Sequence, residues 1–334
     1  MRGAVSGRTG LLFLGAPAVP EMVSLAQRAE AAGFESAWVA ETRLTRDAIT
    51  PAAAIALGTE RLRVGTAIVN VYTRDAVLIA LTFATLNELA PGRVVMGLGT
   101  GSPLVLAPQG ISFRRPLTRL KEYCDVIPPL LAGDAVTYQG DSVHLEAARI
   151  EDVLARERGL RPHRRIPLYL AATGPRAVEH AGEVADGVLL NVCLPPDYVR
   201  ERRGRLARAA RGAGRSLSEI EVAMCIVVSP HAESGPGRDA ARRFIAVYLS
   251  MFPNVARETG LEPEFVASLR QAFATGGVEA AAPLVGDEVV GRLSASGTVE
   301  ECRRRIDDYR QAGIELPILA PVDGALELTI DSLA

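Results

Sequence analysis

Lysine is all but absent from this 334-residue chain: Lys121 stands alone, and every other one of the 37 basic residues is arginine. Acidic residues number 39, so the formal net charge is −2. An excess of one sign is therefore lacking, and with it the electrostatic footprint of a nucleic-acid or anionic-membrane binder. Cysteine is scarce as well. Cys124, Cys193, Cys225 and Cys302 lie far apart with no C-x-x-C pair. That argues against a zinc site or a disulfide framework and fits a reducing cytoplasm. His144, His163, His180 and His231 show no H-E-x-x-H-like spacing and fall away from predicted strand ends. They are expected at the surface or in a hairpin, and no metal is expected. No G-x-S-x-G elbow is present, which disfavours a serine hydrolase. Long hydrophobic runs are missing too; none approaches the roughly 18 residues of a membrane-spanning helix. Arg2 and Arg8 precede LLFLGAPAV, but that short run leads directly into an amphipathic pattern. It reads as a first strand, not a leader.

What the chain does have is alternation. Apolar runs predict strands at 11–15, 36–40, 62–69, 93–99, 166–172, 187–191, 220–228 and 315–321. These runs are nearly continuous, as expected where both faces of a parallel strand are buried. Amphipathic helices are predicted at 20–32, 47–57, 75–89, 116–131, 175–184, 196–212 and 298–311. Gly33 reads as a left-handed helix cap, and Thr298 with Glu301 as a capping box. Eight strands alternating with helices favour a (β/α)8 barrel formed by residues 1–334 as one domain. Two insertions interrupt it, after the fourth and seventh strands. Residues 133–160 are expected to form a hairpin, turning at Gln139-Gly140-Asp141, and a helix. Residues 232–290 are expected to be helical, entered through a flexible loop at 234–239, and to sit over the barrel mouth.

Barrel active sites lie where the strands end in the C-terminal direction. That rule selects Glu41-Thr42-Arg43, Asn70 to Arg74, Gly99 to Ser102, Thr173 to Arg176, Asn191 and Cys193. GLGTGS (97–102) has glycines at alternate positions, which allow close backbone approach to a planar ligand. It reads equally as a tight strand-to-loop turn. In ATGPRAVEH, Gly174 precedes Pro175 at a helix start and Arg176 follows. Free N–H groups, the helix dipole and a guanidinium make an anion site there. A plain capped helix with a surface arginine is the alternative. Glu41 is a candidate general acid or substrate anchor, or else a rim charge or a partner for Arg43 or Arg74.

AEAAGFESAWVAE, LRVGTAIVNVYTRDA, ATLNELAPGRVVMGLGTGS and, further on, AATGPRAVEHAGEVADGVLLN resemble the luciferase-like oxidoreductases. SASGTVEECRRRIDDYRQAGIELPIL agrees. The likeness is to the deazaflavin-dependent branch that includes methylenetetrahydromethanopterin reductase. It implies a TIM barrel of the bacterial luciferase-like type, with coenzyme F420 or, alternatively, FMN bound at the strand ends. It implies a cis peptide between Ala67 and Ile68 behind the cofactor, Thr100 and Gly101 bordering its ring, and Gly174, Pro175 and Arg176 on its phosphate. Asn70, Ser102 and Thr173 complete the expected cofactor contacts. Two departures stand out. Glu41-Thr42 replaces the acid–His pair of alcohol-oxidising members, so the usual base is missing and a reductase is favoured. Ser102 replaces a frequent acidic residue. The expected activity is hydride transfer between F420 and a small organic substrate carrying a C=C or C=N bond, with Glu41 and Thr42 as catalytic candidates. The alternatives are an FMN-dependent monooxygenase fed by a separate flavin reductase, or a non-catalytic cofactor-binding homologue. A homodimer is expected from the family tendency and from the apolar helices at 47–57 and 75–89.

Overall fold

The computed structural model describes residues 8–15, 17–41, 44–151 and 165–334. Eight strands lie around a closed circle in sequence order: β1 (Gly10–Phe13), β2 (Ser36–Val39), β3 (Arg63–Thr66), β5 (Val94–Gly99), β8 (Leu168–Ala172), β9 (Gly187–Leu190), β10 (Glu221–His231) and β12 (Leu316–Pro321). Each is parallel to the next, and β12 returns to β1 with Leu11 opposite Leu319. Every residue of β1, β2, β5 and β9 is buried, which explains the unbroken apolar runs. Helices α1 (Val19–Ala32), α2 (Ile49–Gly58), α3 (Ala76–Leu89), α5 (Pro116–Leu131), α6 (Pro175–Val184), α7 (Pro196–Gly212) and α12 (Val299–Ala312) lie along the chain between them, with a single turn, α4 (Pro103–Leu106), after β5. Their ends follow local chemistry. Gly33 closes α1 at φ 106°, Asp75 accepts from the Leu78 N–H to open α3, and Thr298 and Glu301 cap α12 reciprocally.

Glycine makes room for two large rings inside the barrel. Trp38 on β2 meets Tyr169 on β8 with centroids 5.7 Å apart, although β3 and β5 separate those strands in the sheet. Both rings must therefore fill the interior. A Cβ at Gly65 would lie 2.5 Å from the Trp38 ring, and one at Gly187 would lie 2.5 Å from that of Tyr169. Below them, at the strand N-termini, Arg8 and Arg63 meet Glu35 and Glu221, and the Tyr169 hydroxyl bonds to Glu221.

Three expectations are corrected, and one strand is added. Residues 62–69 are not one strand: the run breaks after Thr66 and resumes as β4 (Val69–Asn70), which pairs with β5. Residues 234–239 are not a loop but the first turns of α8 (Ser234–Met251), where Gly237 packs so closely that a Cβ would stand 2.5 Å from the Ser229 carbonyl. A short strand beyond the second insertion, β11 (Ala295–Thr298), pairs with the far end of β10 and had no clear apolar run to announce it. His180 is not a surface residue: α5 and α6 enclose it to 4% exposure. The hairpin β6 (Val136–Gln139) and β7 (His144–Ala148) forms as expected. The helix expected after it, and His163, fall on 152–164, outside the described residues. The second insertion continues with α9 (Pro253–Ala256), α10 (Pro263–Ala281) and α11 (Asp287–Leu293), and the chain ends in α13 (Leu326–Ser332).

Candidate active site

The ledge at the barrel mouth is built where β3 gives way to β4. The peptide between Ala67 and Ile68 is cis. The Thr66 hydroxyl donates to the Gly97 carbonyl at 2.8 Å and accepts from the Gly97 N–H at 3.1 Å. Gly97 is required at this point, because a Cβ would fall 1.7 Å from the Thr66 carbonyl oxygen. Gly99 serves the ledge too: a Cβ there would lie 2.9 Å from the Ile68 side chain. Ala67 and Ile68 are left partly exposed on the mouth side of these contacts.

Asn70 ties the ledge to its neighbours and is 4% exposed. Its Oδ1 accepts from the N–H groups of Tyr72 and Thr73, each at 3.0 Å, and its Nδ2 donates to Glu41 at 3.1 Å. Glu41, at the end of β2, also accepts from Arg74 at 2.8 and 2.9 Å and from the Ala48 N–H at 3.2 Å. Of the roles open to Glu41, the geometry thus shows the partner of Arg74. Both carboxylate oxygens are occupied, and the pair is largely enclosed, with 12% and 18% of the two side chains exposed. Thr42 and Arg43 lie outside the described residues. Gly101, at φ 65°, packs on the other side of Asn70, so Glu41, Asn70 and the 100–102 loop form one continuous wall. Two hydroxyls in this wall, Thr73 Oγ1 and Ser102 Oγ, are buried and have no partner among the described residues. Buried hydroxyls without partners are costly.

The second loop follows β8, the neighbour of β5. Gly174 precedes α6 in extended conformation, and a Cβ there would meet nothing within 4 Å. The N–H groups of Ala177 and Val178 both fold back to the Gly174 carbonyl at 3.2 Å. Those of Gly174 and Arg176 have no partner among the described residues, and neither does the exposed Arg176 guanidinium. Open donors, the dipole of α6 and a free cation together suit an anion. The Thr173 carbonyl is held by α7: Tyr198 donates to it at 2.6 Å and Arg202 at 3.3 Å. Neither residue was anticipated. The signal available was their i, i+4 spacing, which puts both on one face of a basic helix.

At the next strand end, Asn191 accepts from the Tyr248 hydroxyl of α8 at 2.7 Å. Phe244 stacks on Tyr248 with centroids 5.4 Å apart, and Phe252, at the end of that helix, meets Tyr248 at a tilt with centroids 4.5 Å apart. Cys193 is fully enclosed, and burial drives its thiol well above the usual range, so it is no nucleophile. A cavity of about 410 Å³ lies at the other end of the strands, lined by Met96, Leu131, Ile166 and Leu168. Among the described residues it is largely apolar, with the Arg165–Asp186 pair as its charged lining, whereas barrel sites lie at the mouth.

Comparison with known proteins agrees with this fold. The chain is 31% identical over 307 residues to the 5,10-methylenetetrahydromethanopterin reductase of Methanolobus tindarius, covering 91% of each. It is 28% identical to an F420-dependent glucose-6-phosphate dehydrogenase of Microbacterium testaceum, over 74% of this chain and 75% of that one. The solved structure of the coenzyme F420-dependent tetrahydromethanopterin reductase of Methanopyrus kandleri superimposes with a TM-score of 0.85 at 25% identity, covering 98% and 97% of the two chains. Residues 4–316 match the family model described as luciferase-like monooxygenase, and with the closed barrel and its glycine-cradled mouth the chain belongs to that family.

Proposed function

We propose that this protein is a coenzyme F420-dependent oxidoreductase that delivers a hydride to a C=C or C=N bond of a small organic substrate. The observation that carries this reading is the loop after β8: two unpartnered N–H groups and the free Arg176 beside the glycine ledge of β5. In relatives named as F420-dependent the cofactor is specified, and the residues here fit such a group. Thr100, Gly101 and Ser102 would border a planar ring laid on Ala67 and Ile68. Gly174, Pro175 and Arg176 would hold its phosphate, and the Thr73 and Ser102 hydroxyls would gain polar partners. Bound F420 supplies the hydride. The chain's own work is to orient the ring and substrate and to exclude water. Glu41 acts as a positioning residue that fixes Asn70 and Arg74 under the ledge. Phe244, Tyr248 and Phe252, in ring contact one after another, form an apolar wall for the substrate.

The deciding measurement is cofactor titration followed by the emission of Trp38, the only tryptophan. F420 is expected to saturate and FMN to bind at least about tenfold more weakly, a difference of about 1.4 kcal/mol. Tighter binding of FMN would favour the monooxygenase alternative. We also propose a homodimer formed through α2 and α3, where Leu57, Leu78, Leu81 and Leu89 are each at least 40% exposed. A monomeric mass by light scattering at micromolar concentration would exclude it.

A further inference from the structure

We infer that Arg202, assisted by Tyr198, is a positioning residue that aims the anion-binding donors of the 173–176 loop and locks that loop to the second insertion; this rests on the reading that the loop takes the cofactor's phosphate. Arg202 is 6% exposed, an unusual place for a guanidinium. Burial of such a charge is tolerated only where it is answered, and here each part of the fork has a destination. Nε reaches the Thr173 carbonyl at 3.3 Å, one terminal nitrogen bonds to Glu201, and the other bonds to Glu258. Glu258 follows α9, inside the second insertion. The guanidinium also lies over the Tyr198 ring at 4.8 Å, and the Tyr198 hydroxyl donates to the same Thr173 carbonyl at 2.6 Å. Burial raises the Tyr198 hydroxyl above its ordinary range, so it stays a donor at neutral pH.

The geometry of one peptide unit turns this clamp into a ligand-directed device. The bond from Thr173 to Gly174 is trans, since Ala67–Ile68 is the cis bond among the described residues. In a trans peptide the carbonyl and the N–H point in opposite directions. Two donors from α7 hold the Thr173 carbonyl towards that helix. The Gly174 N–H is therefore turned away from it, and it is the group left without a partner. Removing the donors on α7 frees the peptide plane to rotate and scatters the donor set before any anion arrives. The contact with Glu258 ties the same guanidinium to the insertion, so loop and insertion are fixed together.

The test compares two ligands on the intact protein: F420, and the same deazaflavin chromophore lacking the phosphate. Arg202→Met is expected to raise the dissociation constant of F420 by at least about tenfold and that of the phosphate-free chromophore by less than about twofold. Tyr198→Phe keeps the ring and the guanidinium and removes one donor, so it tests the same peptide if Arg202→Met does not fold. It is expected to weaken F420 by about threefold with the same selectivity. Equal losses for both ligands, or no loss for either, would overturn the positioning role. Wild-type protein that binds F420 no better than the phosphate-free form overturns the underlying phosphate reading instead, before any variant is made.

Discussion

The two ends of this barrel solve opposite problems. At the strand N-termini, Arg8, Arg63, Glu35, Glu221 and Tyr169 satisfy one another. Burial alone would disfavour the Glu35 carboxylate, yet Arg8 and Arg63 outweigh it and hold its pKa below the ordinary value. At the strand C-termini the same sheet leaves donors open: the N–H groups of Gly174 and Arg176, the Arg176 guanidinium, and the hydroxyls of Thr73 and Ser102. A closed floor contributes stability without inviting a ligand. An incomplete mouth gives up some stability and leaves donors open to a ligand. The ion pair of Glu41 and Arg74 is the exception that proves useful, since it brings floor-like completeness to the mouth and there stiffens the ledge.

If that contrast holds, substitutions in the lower barrel must affect folding without touching ligand selectivity, and those at the mouth the reverse. The largest effect is expected from Trp38→Ala. Trp38 is fully buried, so the change should cost about 3–5 kcal/mol of stability. Chemical denaturation checks it, with F420 affinity measured on the folded fraction expected to hold. Glu41→Gln tests the exception. It keeps the shape and loses the charge pairing with Arg74, and should cost about 1–3 kcal/mol of stability with only a small loss of turnover. A tenfold fall in turnover at unchanged melting temperature would instead make Glu41 the proton donor. Arg176→Ala touches an exposed, unpartnered side chain. It should weaken F420 binding by about 1–3 kcal/mol and leave the melting temperature in place; unchanged affinity in a titration would remove it from the phosphate site.

The smallest expected effect lies between the two ends, at His180. Burial lowers its pKa from the ordinary 6.5, against the pull of Glu183, whose carboxylate is 3.2 Å from Nδ1, and with the help of Lys121. The unfolded chain therefore takes up this proton first as pH falls. Stability should decline from about pH 6.5 down to the lowered folded value and level off below it. Comparing melting temperatures across that window for wild type and His180→Gln isolates the contribution. An identical pH dependence in the two would show that His180 titrates alike in the folded and unfolded chain, so that burial does not lower its pKa.

The boundaries of α5, α6 and α7 were legible to the residue, because proline opens each of them and local capping sets the ends of a helix. The eight barrel strands were legible because burial on both faces needs an apolar run. The anion loop was legible for a similar reason: Gly174, Pro175 and Arg176 are adjacent, so their joint chemistry is a property of the chain. Pairings across long separations were not. Nothing local says that Glu41 meets Arg74, and Ser234-Gly235-Pro236-Gly237 looks like a loop until Ser229 and Gly297 press against it. His180 looks like any polar helix residue until α5 covers it, and Arg202 like any member of a basic helix until Thr173 and Glu258 close on it. The sequence by itself determined the alternation, the caps and the glycines that let chain and ligand approach. Only the tertiary structure decided which charges are consumed and which donors stay open, because that depends on distances between strand ends that burial of the shared core brings together.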